Sequence, residues 1–296
     1  MFVLAHLSDP HLGPLPAPRL SELASKRVLG FANWLRKRRA LHRSDVLAAL
    51  VDDLASQRPD HIAVTGDLVN ISLPEEFAAA RAWLERLGSA RDITLVPGNH
   101  DAYVRAASIE PARQWGDFMC GDAEPWAEFP FVRRRGPVAL IGLSTAVPTL
   151  PFMATGRLGD EQIARLANIL PTLSREQLFR VVLIHHPPRG RRAQRTKRLI
   201  DAALLRDVLA RHGAELVLHG HDHVSALVWL DGPNGRIPAV GVPSASAAAT
   251  GEGDPAAYTL YRIDRGSENW RCEMVSRGLR KDADGIVELG RGMLAE

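Results

Sequence analysis

Five segments of this 296-residue chain stop an apolar run abruptly on Asp, His or Asn beside Gly or Pro. They are SDPHLG at 8–13, TGDLVN at 65–70, PGNHD at 97–101, IHHPP at 184–188 and HGHDH at 219–223. Any one of them reads as ordinary turn punctuation. Together they collect carboxylates, a carboxamide and imidazoles, an oxygen and nitrogen set suited to Mn, Fe or Zn and unlike a thiolate site. The set exceeds what one tetrahedral ion takes. Such a set points to chemistry at more than one bound metal ion.

Such a set works only if the segments converge. Between them, short β-rich runs alternate with amphipathic stretches: FVLAHL, SDVLAALVDDLASQ, HIAVTGD, PEEFAAARAWLERLG and DITLVPGNHD, then VALIGLS, GDEQIARLANIL, FRVVLIHHPP, LIDAALLRDVLARHG and AELVLHGHDH. That rhythm predicts βαβ units, a largely parallel sheet and helices packed outside it. In an open α/β sheet the crevice beyond the carboxyl ends of the strands binds ligands, which is where the five segments fall. Ser72 and Glu75, at capping-box spacing around Pro74, predict a helix start, and Gly88 its end. Beyond about residue 224 the pattern turns to strands, with a hairpin around Asn234-Gly235 and further strands at YTLYRID and WRCEMVSR. No linker or repeat interrupts residues 1–296, so a single domain is expected, with cap-like insertions at about 14–43 and 102–136.

The totals exclude several classes. Basic and acidic residues number 37 and 34, so the net charge of +3 does not describe a nucleic-acid binder. Cys120 and Cys272 alone exclude a disulfide framework or a thiolate cluster. The start MFVLAHLSDPH lacks the pattern of a signal peptide, and no apolar run is long enough to span a bilayer. A cytoplasmic protein, at most peripheral to the inner membrane, is the expectation.

The order D-x-H, G-D, G-N-H-D, H and G-H-x-H across residues 8–223 resembles the calcineurin-like metallophosphoesterase superfamily. In style it is similar to the bacterial class III cyclic-nucleotide and glycerophosphodiester phosphodiesterases. The resemblance implies an α/β fold, a four-layer α/β/β/α sandwich with an N-terminal cap insertion, and a dinuclear centre of Mn, Fe or Zn, with Mn and Fe favoured. By position it assigns Asp9, His11 and His223 to one ion, Asn99, His185 and His221 to the other, and Asp67 as the bridge. From the residues alone His186 rivals His185. It further implies a phosphodiesterase that uses a metal-bridging hydroxide.

His100, beside a ligand, is the candidate to protonate the leaving oxygen or stabilise the charged transition state. Asp101 is the candidate to support catalysis by orienting a neighbouring imidazole. Asp222, between the two terminal His residues, is expected to point away from the ions.

Two acid-free basic stretches flank this machinery. One, PPRGRRAQRTKR, contains Arg189, Arg191, Arg192, Arg195, Lys197 and Arg198, and offers a cationic rim or only a solvated loop. Arg189 is its best substrate-contact candidate, and Tyr103 is a candidate for stacking. The other, KRVLGFANWLRKRRALHR at 26–43, places Leu20, Leu23, Phe31, Trp34 and Leu41 in one helical sector, with Arg27 and Arg38 intruding and Gly30 weakening the helix. It packs on the domain, or Phe31 and Trp34 receive a lipid-linked phosphate ester beside an anionic membrane surface, or, as the least favoured reading, it grips nucleic acid. The expected substrate is accordingly a small-molecule or lipid-linked phosphate ester. A pyrophosphohydrolase of a UDP-acyl sugar, as in lipid A synthesis, and a non-catalytic scaffold are the competing readings.

Overall fold

The computed structural model of the chain describes residues 1–123, 126–189, 195–249, 253–266, 269–280 and 285–295. Arg191 and Arg192 lie outside the described residues.

The first half of the chain builds β1 (Phe2–Leu7), α1 (Arg27–Asn33), a π-helical stretch (Trp34–Arg38), α2 (Arg39–Leu41), α3 (Ser44–Ser56), β2 (His61–Val64), α4 (Pro74–Leu87), β3 (Ile93–Leu95) and α5 (Glu110–Trp115). There follow β4 (Phe131–Arg135), β5 (Val138–Gly142), α6 (Asp160–Arg175), β6 (Phe179–Leu183), α7 (Ala202–His212) and β7 (Leu216–His219). The last part is all strand: β8 (Ala226–Gly232), β9 (Gly235–Gly241), β10 (Ala257–Arg265), β11 (Trp270–Leu279) and β12 (Ile286–Ala295).

Two six-stranded sheets result, ordered β12-β11-β10-β1-β2-β3 and β4-β5-β6-β7-β9-β8. The parallel core expected from the alternation is present as β1-β2-β3 and as β5-β6-β7-β9. It is split between two sheets, each completed by antiparallel strands, so the arrangement is a mixed-sheet α/β sandwich rather than one parallel sheet. The period of two along a strand explains how one sheet serves two interfaces. In β5 and β6, Val138, Leu140, Phe179, Val181 and Leu183 join the core shared with β1, β2 and β10, while Ala139, Ile141 and Val182 meet α6 and α7 on the other face. On the far side of the first sheet, α3 and α4 bury Leu47, Leu50, Leu54, Phe77 and Leu84. The layers are thus α/β/β/α.

Local expectations are corrected in three places. Helix α4 starts one residue later than the Ser72–Glu75 capping box predicts: Glu76, not Glu75, accepts from the Leu73, Asn70 and Ile71 amides, at 2.9, 2.6 and 3.1 Å. Ser72 instead donates its hydroxyl to the His100 carbonyl at 2.6 Å. Second, residues 131–135 of the expected insertion at 102–136 form edge strand β4. Third, the helical sector drawn from Leu20 fails because the helix begins at Arg27, leaving Leu20 89% exposed. The hairpin at Asn234-Gly235 is present, with Gly232 paired to Gly235. No helix is long and apolar enough to cross a membrane among the described residues.

Candidate metal centre

Loops following β1, β2, β3, β6 and β7 carry the five segments to one end of the sandwich. They approach so closely that side chains are excluded at the contacts: a Cβ on Gly98 would overlap the Asp67 carboxylate, and one on Gly220 would overlap Ser8 and Asp9. The turns are also tight. Asp9, His11, Asp67, His221 and His223 all adopt left-handed backbone conformations, with φ between 39° and 73°. Non-glycine residues avoid this region, at a cost of order 1–3 kcal/mol each, unless surrounding structure fixes them there.

The seven residues expected to hold ions are brought together. His223 Nε2 lies 3.1 Å from Asp9 Oδ1 and 3.2 Å from His11 Nε2. His185 Nε2 lies 3.4 Å from Asp67 Oδ2, 3.2 Å from Asn99 Oδ1 and 3.3 Å from His221 Nδ1. Asp67 stands between the two groups, its Oδ2 also 3.9 Å from His11 Nε2.

Outside partners fix the ring tautomers. His11 Nδ1 donates to the Val69 carbonyl at 3.2 Å, His185 Nδ1 to Thr65 at 2.6 Å, and His221 Nε2 to Lys197 at 2.8 Å. With one N–H committed, each neutral imidazole turns a lone pair toward the cluster. The lone pairs of these three rings therefore face the Asp9 and Asp67 carboxylates and the Asn99 oxygen. A divalent cation would satisfy them, which is the fit of these residues to a metal pair.

Titration follows the same logic. Burial holds His11 and His221 well below the ordinary imidazole value, aided by neighbouring imidazoles, so they are neutral, the form that binds metal. Burial opposes charge on His185 too, but Asp67 and Asp9 outweigh it and raise the ring to about 10; the ring takes a proton where a cation would sit. His186 is the neighbour whose nitrogens are both spoken for: Thr145 Oγ1 lies 2.7 Å from Nδ1, and Nε2 donates to Ala154 at 3.0 Å.

Asp101 does not orient an imidazole. Its fully buried carboxylate accepts the amides of Asp67, Leu68 and Gly98 at 2.8 to 2.9 Å and that of Val69 at 3.2 Å, tying the second loop to the third. His100 donates its backbone amide to Asp67 Oδ1 at 2.7 Å and its Nδ1 proton to the Asn70 carbonyl. Its Nε2 accepts from Arg38 Nη2 at 2.9 Å. Burial, then Arg38, pushes His100 down to about 3.

Arg38 therefore enters the site from the insertion, where its place in the apolar sector had only looked like a flaw in a helix. The π-helical stretch aims it inward while Arg36, Lys37 and Arg39 remain in solvent. Gly30 permits the docking, since a Cβ there would collide with Ile71 and Tyr103, and Arg27 anchors the helix by donating to the Ile71 carbonyl at 3.0 Å and to that of Ser72.

Phe31 and Trp34 pack against Leu15, Ile71 and Leu73 and do not line the cleft. The insertion's aromatics thus face the protein. Tyr103 does line it, stacked on His100 with ring centres 5.5 Å apart. Arg189 is exposed and lies outside the lining, to which, among the described residues of its stretch, Lys197 contributes. Asp222 is among the residues that line the cleft. His42, at the end of the insertion, is a site residue the motifs did not flag, because it belongs to none of them.

Comparison with known proteins agrees with this geometry. A family model described as calcineurin-like phosphoesterase matches residues 2–225. The chain is 33% identical over 100 residues to the glycerophosphodiester phosphodiesterase GpdQ of Enterobacter lignolyticus, covering 33% of this chain and 29% of that protein. It is 29% identical over 179 residues to a probable cyclic nucleotide phosphodiesterase of Synechococcus sp., covering 60% of this chain and 62% of that one. Each match therefore spans less than two thirds of the relative. In fold, the chain is similar to a dimetal phosphatase from Danio rerio, with a TM-score of 0.67, 13% identity and coverage of 99% and 98% of the two chains.

Proposed function

The chain belongs to the calcineurin-like phosphoesterase family, and on that premise we propose that it is a two-metal phosphodiesterase whose substrate is an amphiphilic phosphate ester. Asp9, His11, His223 and Asp67 would hold one ion, and Asp67, Asn99, His185 and His221 the other. Manganese or iron suits this oxygen and nitrogen set. When bound, the pair supplies a nucleophile at neutral pH and the positive charge that holds phosphoryl oxygens.

The protein's own residues handle what surrounds that centre. His100, neutral and fixed by the Asn70 carbonyl, presents Nε2 to Arg38, so the guanidinium is held at the edge of the metal centre. Arg38 would stabilise the charge that develops on the phosphoryl oxygens, and His100, whose Nε2 accepts from Arg38 and so carries no proton to give, holds the guanidinium in position. Asp101 keeps the Asp67 and Gly98 loops in register.

The observation that carries the substrate class is the cleft of about 330 Å³ running outward from His100 and Asn99. Lys26, Arg38 and Lys197 supply charge along it, and Leu29, Phe152 and Met153 supply an apolar wall. Phe152 is 87% exposed, which suits a chain or surface laid across it. The same rim would bring the protein, from the cytoplasm, to an anionic inner-membrane surface.

A series of p-nitrophenyl alkyl phosphodiesters of increasing chain length, assayed with Mn²⁺, tests this reading. Each methylene buried on the apolar wall contributes about 0.8 kcal/mol, roughly fourfold in kcat/KM. Phe152→Ser should flatten the series. Equal rates for all lengths, ready cleavage of cyclic AMP and indifference to anionic liposomes would sink it. Preference for a UDP-acyl sugar over every diester would reassign the reaction to diphosphate cleavage in the same cleft.

A further inference from the structure

His42 closes the insertion, and two backbone contacts to the 244–248 segment hold it in place: Arg43 N donates to the Ser246 carbonyl at 2.9 Å and Ala248 N to the Leu41 carbonyl at 2.8 Å. The ring is buried, only 8% exposed. Its Nδ1 lies 2.9 Å from Ser246 Oγ and 3.3 Å from Ser244 Oγ, and Ser244 in turn donates to the Asp9 carbonyl at 2.6 Å. Ser244, its proton committed to Asp9, is an acceptor for Nδ1–H, and in that tautomer Nε2 carries the lone pair. That Nε2 is buried and has no hydrogen-bond partner among the described residues. A buried polar atom left unpaired costs about 1–3 kcal/mol, so it calls for an explanation. The neighbours supply one: ligand nitrogens of His11, His42 and His223 all lie within 4.8 Å of one another, and the His11 and His42 ring centres are 4.5 Å apart.

We infer that His42 is an additional protein ligand, delivered by the insertion, to the ion held by Asp9, His11 and His223. The inference rests on the two-metal reading above. It makes the two positions unequal. The first gains a third imidazole, while the second keeps two imidazoles and the Asn99 carboxamide. A nitrogen-rich position favours Zn, Fe or Co over Mn, so the two positions should differ in metal preference. It also makes the insertion part of the centre, since the segment that places Arg38 beside His100 ends by closing the first metal position.

The test uses the full chain, stripped of metal and titrated with Co²⁺, with stoichiometry by elemental analysis and affinity by calorimetry. Wild type should bind two ions. His42→Gly should keep one at wild-type affinity and bind the other about 10- to 100-fold more weakly, a loss typical of disturbing a metal's ligand environment. The cobalt absorption spectrum of that ion should change, and added imidazole should restore both, which a packing role would not allow. Wild-type affinity and spectrum in His42→Gly would overturn the inference.

Should that variant fail to fold, wild-type protein labelled with [¹⁵N]histidine and loaded with ¹¹³Cd decides the matter. Five imidazole nitrogens coupled to cadmium, from His11, His42, His185, His221 and His223, are expected, and four would overturn the assignment of His42 alone. Wild type that binds no ion would overturn the two-metal reading and this inference with it.

Discussion

Two buried polar clusters in this protein are built on opposite plans. Arg133, on β4, is 2% exposed, yet its guanidinium donates to the carbonyls of Cys120, Ala90, Ile93 and Asp117 at 2.5 to 2.7 Å. Every donating nitrogen finds an acceptor, so the knot closes on itself and only holds the 117–120 turn against the β3 edge. At the strand tips the reverse holds: His11 Nε2, its other nitrogen committed to Val69, turns a lone pair toward Asp9 and Asp67, His185 draws a proton between carboxylates, and His42 Nε2 has no hydrogen-bond partner among the described residues. Polarity that satisfies itself is scaffolding, and polarity that cannot is a binding site.

Substitutions that treat the two clusters alike should give opposite results. Asp67→Asn removes the one carboxylate shared by both halves of the site. Hydrolysis of bis(p-nitrophenyl) phosphate should fall by more than the about 10²- to 10³-fold typical of losing a single transition-state donor. In EDTA, however, the variant should melt no lower than wild type, because the metal-free site loses an unbalanced acceptor. A lower melting temperature in EDTA would break the contrast. Wild type itself should gain about 2.7 kcal/mol when the ion is present at one hundred times its dissociation constant, read as a metal-dependent shift in Tm.

Arg133→Ala should cost about 3 kcal/mol in urea unfolding, with or without metal, because it strands buried carbonyls. Activity per folded molecule should stay unchanged. The smallest effect belongs to Asp53 on α3, which accepts from Arg277 at 2.7 and 2.8 Å and from the Tyr258 hydroxyl at 2.6 Å. Burial works against this carboxylate, but those hydrogen bonds outweigh it and hold its pKa below the ordinary value. A depressed carboxyl contributes stability at neutral pH that is lost as pH falls through the folded-state value. Asp53→Asn should therefore cost about 1–2 kcal/mol at pH 7, and the gap to wild type should close in acid. A gap independent of pH would show that the pair acts through packing alone.

The same contrast explains what the sequence made legible. The strand tips stood out because carboxylates and imidazoles ended apolar runs at regular intervals, and βαβ order forces such ends together. Helices α6 and α7 and the Asn234-Gly235 hairpin were readable from periodicity and turn chemistry. Strand β12 was not, because IVELGRGMLA, on a half-exposed edge, lacks clean alternation. Strand β4 was hidden because Arg133, in the middle of FVRRR, is buried by hydrogen bonds rather than by hydrophobicity. Arg38 and His42 were unreadable for a third reason: their role depends on how the insertion docks, and docking is decided by Gly30, Arg27 and the 244–248 segment, far away in sequence. Asp101 looked like a helper to an imidazole because its neighbours are ligands, whereas the tight turns left backbone amides nearer to it.

The π-helical stretch at Trp34–Arg38 has a consequence for how this protein can vary. An α-helix turns about 100° per residue, so the length of the segment between Arg27 and His42 is as constrained as its composition. A π turn is in effect one residue too many, accommodated without breaking the helix. Deleting a single residue there would leave Arg27 and Phe31 in their seats but rotate Arg38 and His42 away from His100 and Ser246. Exchange of the exposed Arg36 and Arg39 should therefore be tolerated, whereas a one-residue gap in this helix should change both metal demand and substrate.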